Sequence, residues 1–204
     1  RVVVNGNIAL AGTRVSSKDK VYIDDELLKV KSTAKQDQFI IAFNKPLNIT
    51  STTDEKDRTN IIRFINHPKR IFPIGRLDKD SEGLILLTND GELAQRLLHP
   101  DFYHEKTYQV TVDKALTPQA LEQLASGVSW TVGPHSYQSR PCQVTQLSSD
   151  SFEIVLTQGL NRQIRYMCRT QGFKVLQLKR IQLAEFSLAD LAEGCFKAVC
   201  LPVK

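Results

Sequence analysis

The sequence predicts an α+β fold built around a mixed, largely antiparallel sheet. Three observations lead there. Strand-like segments outnumber helical ones, the two kinds do not alternate strictly as a βαβ chain would, and HEKTYQVTV shows the period-two pattern of a half-exposed strand. The 204 residues suffice to bury a core and leave room for one domain with a small appendage.

The elements follow in order. Residues 2–31 read as short strands separated by turns at Asn5-Gly6 and Asp24-Asp25, residue types that tolerate the left-handed backbone of tight turns. The chain opens at Arg1 inside a strand-like run, so its first domain is expected to begin upstream. The polar stretch KSTAKQDQ reads as a linker and sets a boundary near Ala34, giving domains 1–34 and 35–204. FIIAFNKP is a strand stopped by Pro46, which has no amide to donate to a ladder. The polar loop TTDEKDRTN leads into the helix NIIRFINH, with Ile61, Ile62 and Ile65 on one face. RIFPIG and GLILLTN are apolar strand candidates, and Asn89-Asp90 stands where it can cap the helix GELAQRLL. Thr117 with Pro118 opens the helix TPQALEQLASG, closed by Gly127. SFEIVLTQ is a strand, NRQIRYMCRTQG a helix ending at Gly172, and KVLQLKRIQL, AEFSL and CFKAVCLP close the chain as strands.

Composition narrows the class. Apolar residues make up 41% and charged residues 24%, which is ordinary for a folded domain and excludes a disordered or fibrous chain. No apolar run approaches the roughly 20 residues that cross a bilayer, and the N-terminus lacks the pattern of a signal peptide, so a soluble protein is expected. Cys142, Cys168, Cys195 and Cys200 show no C-x-x-C pairing and point to a reducing, cytoplasmic setting. Lysine and arginine exceed the acids by 27 to 22, a balance that favours polyanionic partners.

The chemistry concentrates in three segments. GRLDKDSEGLILLTNDG places Asp78, Asp80 and Glu82 among Arg76 and Lys79. A solvated turn, a calcium loop and a catalytic carboxylate in a cationic cleft all make that pattern. The calcium reading fails because its twelfth position is Asn89, where a bidentate glutamate is needed, and because its flanks are strand-like. The four histidines are scattered without zinc spacing, no phosphate-binding glycine loop occurs, and no G-x-S-x-G nucleophile elbow is present. In the second segment, NRQIRYMCRTQG, the arginines Arg162, Arg165 and Arg169 fall at helical spacing on one face, with Ile164, Met167 and Cys168 on the other. Between Leu160 and Ala184 there are six Lys or Arg and no acid. The third is EKTYQVTV, where Tyr108 alone reads as a half-buried packing residue.

Taken together, GRLDKDSEGLILLTNDGEL, EKTYQV and GLNRQIRYM, preceded by FNKP, resemble the RsuA-like pseudouridine synthases over residues 38–204. The leading VVVNGNIALAGTRVSSKDKVYIDDELL is similar to the second half of the small alpha-L type RNA-binding domain of that family. The resemblance implies the pseudouridine synthase catalytic fold and the isomerisation of uridine in structured RNA, in large-subunit ribosomal RNA or a tRNA anticodon loop. It implies Asp78 as nucleophile or as the base that starts an elimination, Tyr108 stacking on the uracil, and Arg165 pairing with Asp78 to keep it ionised. Leu178 resembles a hydrophobic position of the same pocket. Arg76, Lys79, Arg162, Arg169, Lys179 and Arg180 are candidate phosphate contacts, while Asp80 and Glu82 are expected to order the turn. The reaction needs no cofactor and no metal, and a monomer is the default expectation. One departure is Tyr166, where many relatives carry a second arginine. The competing reading is a non-catalytic RNA-binding or ribosome-assembly factor on the same scaffold.

Overall fold

The computed structural model describes residues 1–10, 12–16, 18–28, 38–98 and 104–200. The chain divides into two compact units, residues 1–37 and 38–204. The boundary expected near Ala34 lies outside the described residues.

In the first unit, β1 (Val2–Val4), β2 (Asn7–Ile8), β3 (Val21–Ile23) and β4 (Glu26–Leu27) form an antiparallel sheet in the order β2-β1-β3-β4. Both turns read from the sequence are present for a backbone reason. Asn5 and Gly6 between β1 and β2, and Asp24 and Asp25 between β3 and β4, all have positive φ, as the tightest hairpin turns require.

The second unit is built on β5 (Ile40–Lys45) and β7 (Glu82–Thr88), an antiparallel pair buried along its whole length. Alternate side chains of a strand point to opposite faces, and here each face has its own apolar layer. Ile40, Ala42, Leu84 and Leu86 pack with Leu93 and Ala94 of α2 (Gly91–Leu98). Ile41, Phe43, Ile85 and Leu87 pack with Ile61 and Ile65 of α1 (Ile61–Ile65). Both helices begin as their sequences ask: the Asn60 side chain accepts from the Arg63 amide, and Asp90 accepts from the amides of Glu92 and Leu93. β6 (Phe72–Ile74) pairs with the far end of β7.

The sheet continues through β13 (Val175–Leu183), which pairs parallel with β7 and antiparallel with β8 (Lys106–Val112). Beyond β8 come β12 (Ser151–Leu156) and β11 (Gln143–Gln146), and at the opposite edge β15 (Phe196–Val199) pairs with β5. The short β14 (Phe186–Ser187) folds back on β13. Only the β7–β13 pairing is parallel among the described pairs of this sheet, which bears out the mixed, largely antiparallel α+β reading. A third apolar layer joins Val110, Val112, Phe152 and Ile154 to Leu124 of α3 (Pro118–Ser126) and Met167 of α4 (Gln163–Thr170).

Two features differ from the sequence reading. The hairpin of β9 (Ser129–Val132) and β10 (His135–Gln138), together with β11, went unassigned, because these strands are short and largely exposed and so lack a buried face to mark them. The arginine helix also begins later than NRQIR implied. Arg162 caps it in the left-handed conformation (φ 52°), so Arg162 stands outside the helical face on which it had been placed.

The parallel seam depends on Gly83. Its φ is +102°, and a Cβ there would collide with the carbonyl of Arg180 and lie 2.8 Å from its nitrogen. Substitution would either part β7 from β13 or strain the backbone. Gly83→Ala is expected to destabilise the protein by about 3 kcal/mol or more, whereas Gly91→Ala, with open space around it, is expected to leave stability nearly unchanged. Thermal unfolding of the two variants checks the contrast.

Candidate active site

The turn between β6 and β7 carries Asp78 and Asp80, and two sequence-distant segments hold it. Ser81 N–H closes the turn on the Asp78 carbonyl at 3.0 Å. From the 48–51 segment, the Ser51 hydroxyl donates to the Leu77 carbonyl (2.9 Å) and the Asn48 amide donates to the Lys79 carbonyl (2.9 Å). From α4, Arg165 Nη2 donates to the Asp80 carbonyl at 2.5 Å, and its Nη1 reaches the Val175 carbonyl of β13 at 3.4 Å. The backbone around Asp78 is therefore fixed on several sides.

The ion pairing corrects one expectation. Arg165 does not pair directly with Asp78: its Nε lies 3.3 Å from Asp80 Oδ2. Asp80 also receives both terminal nitrogens of Arg162, at 3.0 and 2.7 Å, in a bidentate pair. Asp78 is left with Arg162 Nη1 at 4.0 Å, and no hydrogen bond reaches its carboxylate among the described residues. The two carboxylates of one tight turn have divided the work, with Asp80 taking the arginines and Asp78 left open. Hydrogen bonds from Arg162, aided by the charge of Arg165 and opposed by partial burial, hold the Asp80 carboxyl below its ordinary range. Burial pushes Arg165 down, against the pull of Asp80, yet a guanidinium stays charged at any physiological pH. Glu82 is buried at the start of β7 and accepts from Gln177 Nε2 at 2.6 Å, so it orders the strand.

Asp78 opens into a cavity of about 650 Å³, a size suited to a small ligand or a single nucleotide. One wall is a sheet face: Lys106 and Tyr108 of β8 alternate onto it, and Leu178, Arg180 and Leu183 of β13 complete it, with Tyr108 and Arg180 directly opposite one another in the ladder. The remaining walls come from 74–78 and Ser81, from Leu97 and Leu98, from His104 and Arg140, and from residues 156–164 between β12 and the start of α4. Asp78, Tyr108, Leu178, Arg76, Arg162 and Arg180 thus all line one space. Leu178 is at once cavity wall and core. Arg165 stands behind the turn and does not line the cavity, and neither do Lys79, Lys179 or Arg169. Arg76, Lys79 and Arg169 are exposed, Lys179 is half-buried and Arg180 is only 3% exposed, which removes Arg180 from the surface where a phosphate contact was expected.

Two cations were missed. Lys106 lines the cavity, its Nζ donating to the His104 carbonyl at 2.9 Å, and burial together with the charge of Arg180 lowers its pKa. Lys45, at the end of β5, is fully buried and donates to the carbonyls of Pro46 and Ile49, both at 2.9 Å. Burial pushes it down to about 8 against the pull of Asp78, Asp80 and Glu82. Alternation along HEKTY signals the first, since Lys106 shares a face with Tyr108. Nothing in FNKP signals that the second lysine is buried.

Residues 39–170 match the sequence pattern of the RNA pseudouridylate synthases, and the chain belongs to that family, in its RsuA-like branch. It is 42% identical over 195 residues to the dual-specificity RNA pseudouridine synthase RluF of Escherichia coli (strain K12), covering 95% of this chain and 64% of the relative. It is 34% identical to the ribosomal large subunit pseudouridine synthase B of Bacillus subtilis (strain 168), covering 95% of this chain and 80% of that one. A crystal structure of a pseudouridylate synthase superposes with a TM-score of 0.76 at 28% identity, covering 98% of this chain and 85% of the other. The chain thus spans under two thirds of the length of the RluF relative.

The Asp80 clamp has a pH signature. A carboxylate whose pKa is lower folded than unfolded binds fewer protons in the native state, so its contribution is present above the unfolded value near pH ~4 and is lost as the pH falls through the folded value. Asp80→Asn is expected to start less stable than wild type near neutral pH and to lose less stability on acidification below about pH 4. Melting temperatures across that range check this, and parallel pH profiles would remove Asp80 from the acid transition.

Proposed function

We propose that the protein converts uridine to pseudouridine at defined positions of structured RNA, with large-subunit ribosomal RNA as the leading target and a tRNA anticodon loop as a second. One observation carries the reading: Asp78 and Tyr108 line the same nucleotide-sized cavity, bordered by Arg76, Lys106, Arg162 and Arg180. The names of the relatives, a dual-specificity RNA enzyme and a large-subunit ribosomal enzyme, support the choice of targets.

The proposed roles are as follows. The target uridine is everted from the RNA at a cost of a few kcal/mol, offset by stacking and phosphate contacts. Tyr108, half-buried and packed between two apolar layers, offers a fixed ring for the base to stack on. Asp78, unencumbered by a close ion pair, acts on the sugar as nucleophile or as base. Arg165 is a positioning residue: by tying Asp80 and the turn carbonyl to α4 it fixes where Asp78 points. Arg76, Lys79 and Arg169 are exposed cations available to RNA phosphates. The reaction is an internal rearrangement and calls for no co-reactant, so the reading includes no cofactor or metal. It extends to a cytoplasmic monomer and to an RNA-binding role for the unit of residues 1–37.

Incubating unmodified ribosomal RNA and tRNA transcripts with the protein, then mapping pseudouridine by carbodiimide-dependent reverse-transcription stops, tests the proposal. Wild-type protein is expected to give discrete stops, and Asp78→Ala none, with RNA affinity within a few-fold of wild type. Activity surviving in Asp78→Ala would overturn the assignment of the carboxylate. Tight RNA binding by wild type without product on any transcript would favour the assembly-factor reading.

A further inference from the structure

Arg180 is a buried charged group of the cavity wall that is only partly satisfied. It is 3% exposed, and its Nε donates to the Leu84 carbonyl of β7 at 2.7 Å, which locks the guanidinium plane to the sheet. Its Nη2 is buried and has no hydrogen-bond partner among the described residues. A charged donor left unpaired in a water-poor interior is costly, and a functional role is one of the reasons a native protein keeps such a group. Its ladder position opposite Tyr108 places it on the wall where the pyrimidine is to stack. Among the described residues no carboxylate other than Asp78 lines the cavity, whereas Lys106 on the same sheet face adds a second positive charge.

We propose that the Arg180 guanidinium, through the edge it presents to the cavity, faces a carbonyl oxygen of the everted pyrimidine and stabilises the negative charge that the base acquires when it leaves the sugar. This rests on the pseudouridine synthase reading above and deepens it. The balance of the reaction requires such a group. When the C1′–N1 bond breaks, its electron pair stays with the base and spreads over N1, O2 and O4, while Asp78 supplies electrons to C1′ directly or takes a proton from C2′. The pair returns when C5 bonds to C1′, as the Asp78–C1′ bond breaks in the first route or as Asp78 returns its proton to C2′ in the second; C5 then gives up its proton, and N1 takes one up. Between these events the base is an anion in a site with little water, where a fixed cation stabilises it far more than in bulk solvent. A guanidinium fixed by Leu84 pays no reorganisation cost at that moment. Arg180 is therefore a catalytic residue, distinct from the phosphate contacts at the rim.

The test compares wild type, Arg180→Met and Arg180→Lys in single-turnover reactions on RNA carrying either uridine or 5-fluorouridine at the modified site. Fluorine stabilises the departing base as an anion, so the variant should need the arginine less on that RNA. Pseudouridine mapping with wild type decides the underlying reading independently. With wild-type turnover in hand, Arg180→Met is expected to slow cleavage of the sugar–base bond about 10²–10³-fold on uridine RNA. The loss should be smaller on 5-fluorouridine RNA, and RNA affinity should stay within a few-fold of wild type. Arg180→Lys keeps the charge and most of the volume, guards against a folding defect, and is expected to fall between. A loss of affinity matching the loss of rate would make Arg180 a phosphate contact. An equal rate loss on both RNAs would make it structural. Unchanged rates would remove it from the reaction. Each of these three results overturns the proposal.

Discussion

The site depends on one electrostatic arrangement, the capture of Asp80 by two arginines. A carboxylate that is to act as nucleophile or base needs an accessible lone pair, and a bidentate guanidinium occupies those lone pairs. Direct pairing of Arg165 with Asp78 would have positioned the carboxylate at the expense of its reactivity. The turn resolves this with a second carboxylate two residues on: Asp80 receives Arg162 through two hydrogen bonds and Arg165 at 3.3 Å. Asp78 keeps only a longer interaction at 4.0 Å. The two arginines sit three residues apart, one capping α4 and one within its first turn, so the helix fixes their spacing. Arg165 also reaches β13 through the Val175 carbonyl. The carboxylate turn, α4 and β13 are thereby referenced to one another.

The sequence made the scaffold legible wherever burial leaves a pattern. The unbroken apolar runs of β5 and β7 follow from a pair buried on both faces. Thr117 with Pro118, and Asn60, mark helix starts because their side chain or fixed φ satisfies the first turn. The exposed hairpin of β9 and β10 leaves no such pattern. Asp78, Tyr108 and Leu178 were legible as a set, and the structure brings all three to one cavity. The partner of Arg165 was not legible, because two aspartates two residues apart in a tight turn are equivalent in sequence. Only the path of the backbone decides which of them meets the helix. Arg180 was misplaced for a related reason. Lys179 and Arg180 are adjacent, so one must point into the cavity wall and the other away. The choice depends on a register that shifts twice along β13, between Val175 and Gln177 and between Arg180 and Gln182.

Charge balance around the turn explains why a buried lysine is tolerated beside it. Asp78, Asp80 and Glu82 each act on Lys45, and their attraction partly offsets a burial penalty that still lowers its pKa to about 8. Its two hydrogen bonds go to main-chain carbonyls, so it neutralises no carboxylate by direct contact. It contributes a positive field from β5, while Arg162 and Arg165 contribute theirs from α4. The three cations differ in permanence. The arginines keep their charge across the physiological range, whereas burial lowers the pKa of Lys45 to about 8, so its charge is the least permanent of the three. Three acids thus face three cations from β5 and α4, besides Arg76 and Lys79 of the segment itself, with Glu82 tied to Gln177 and Asp80 to the arginines. Asp78 is the member whose charge remains available to a substrate entering the cavity.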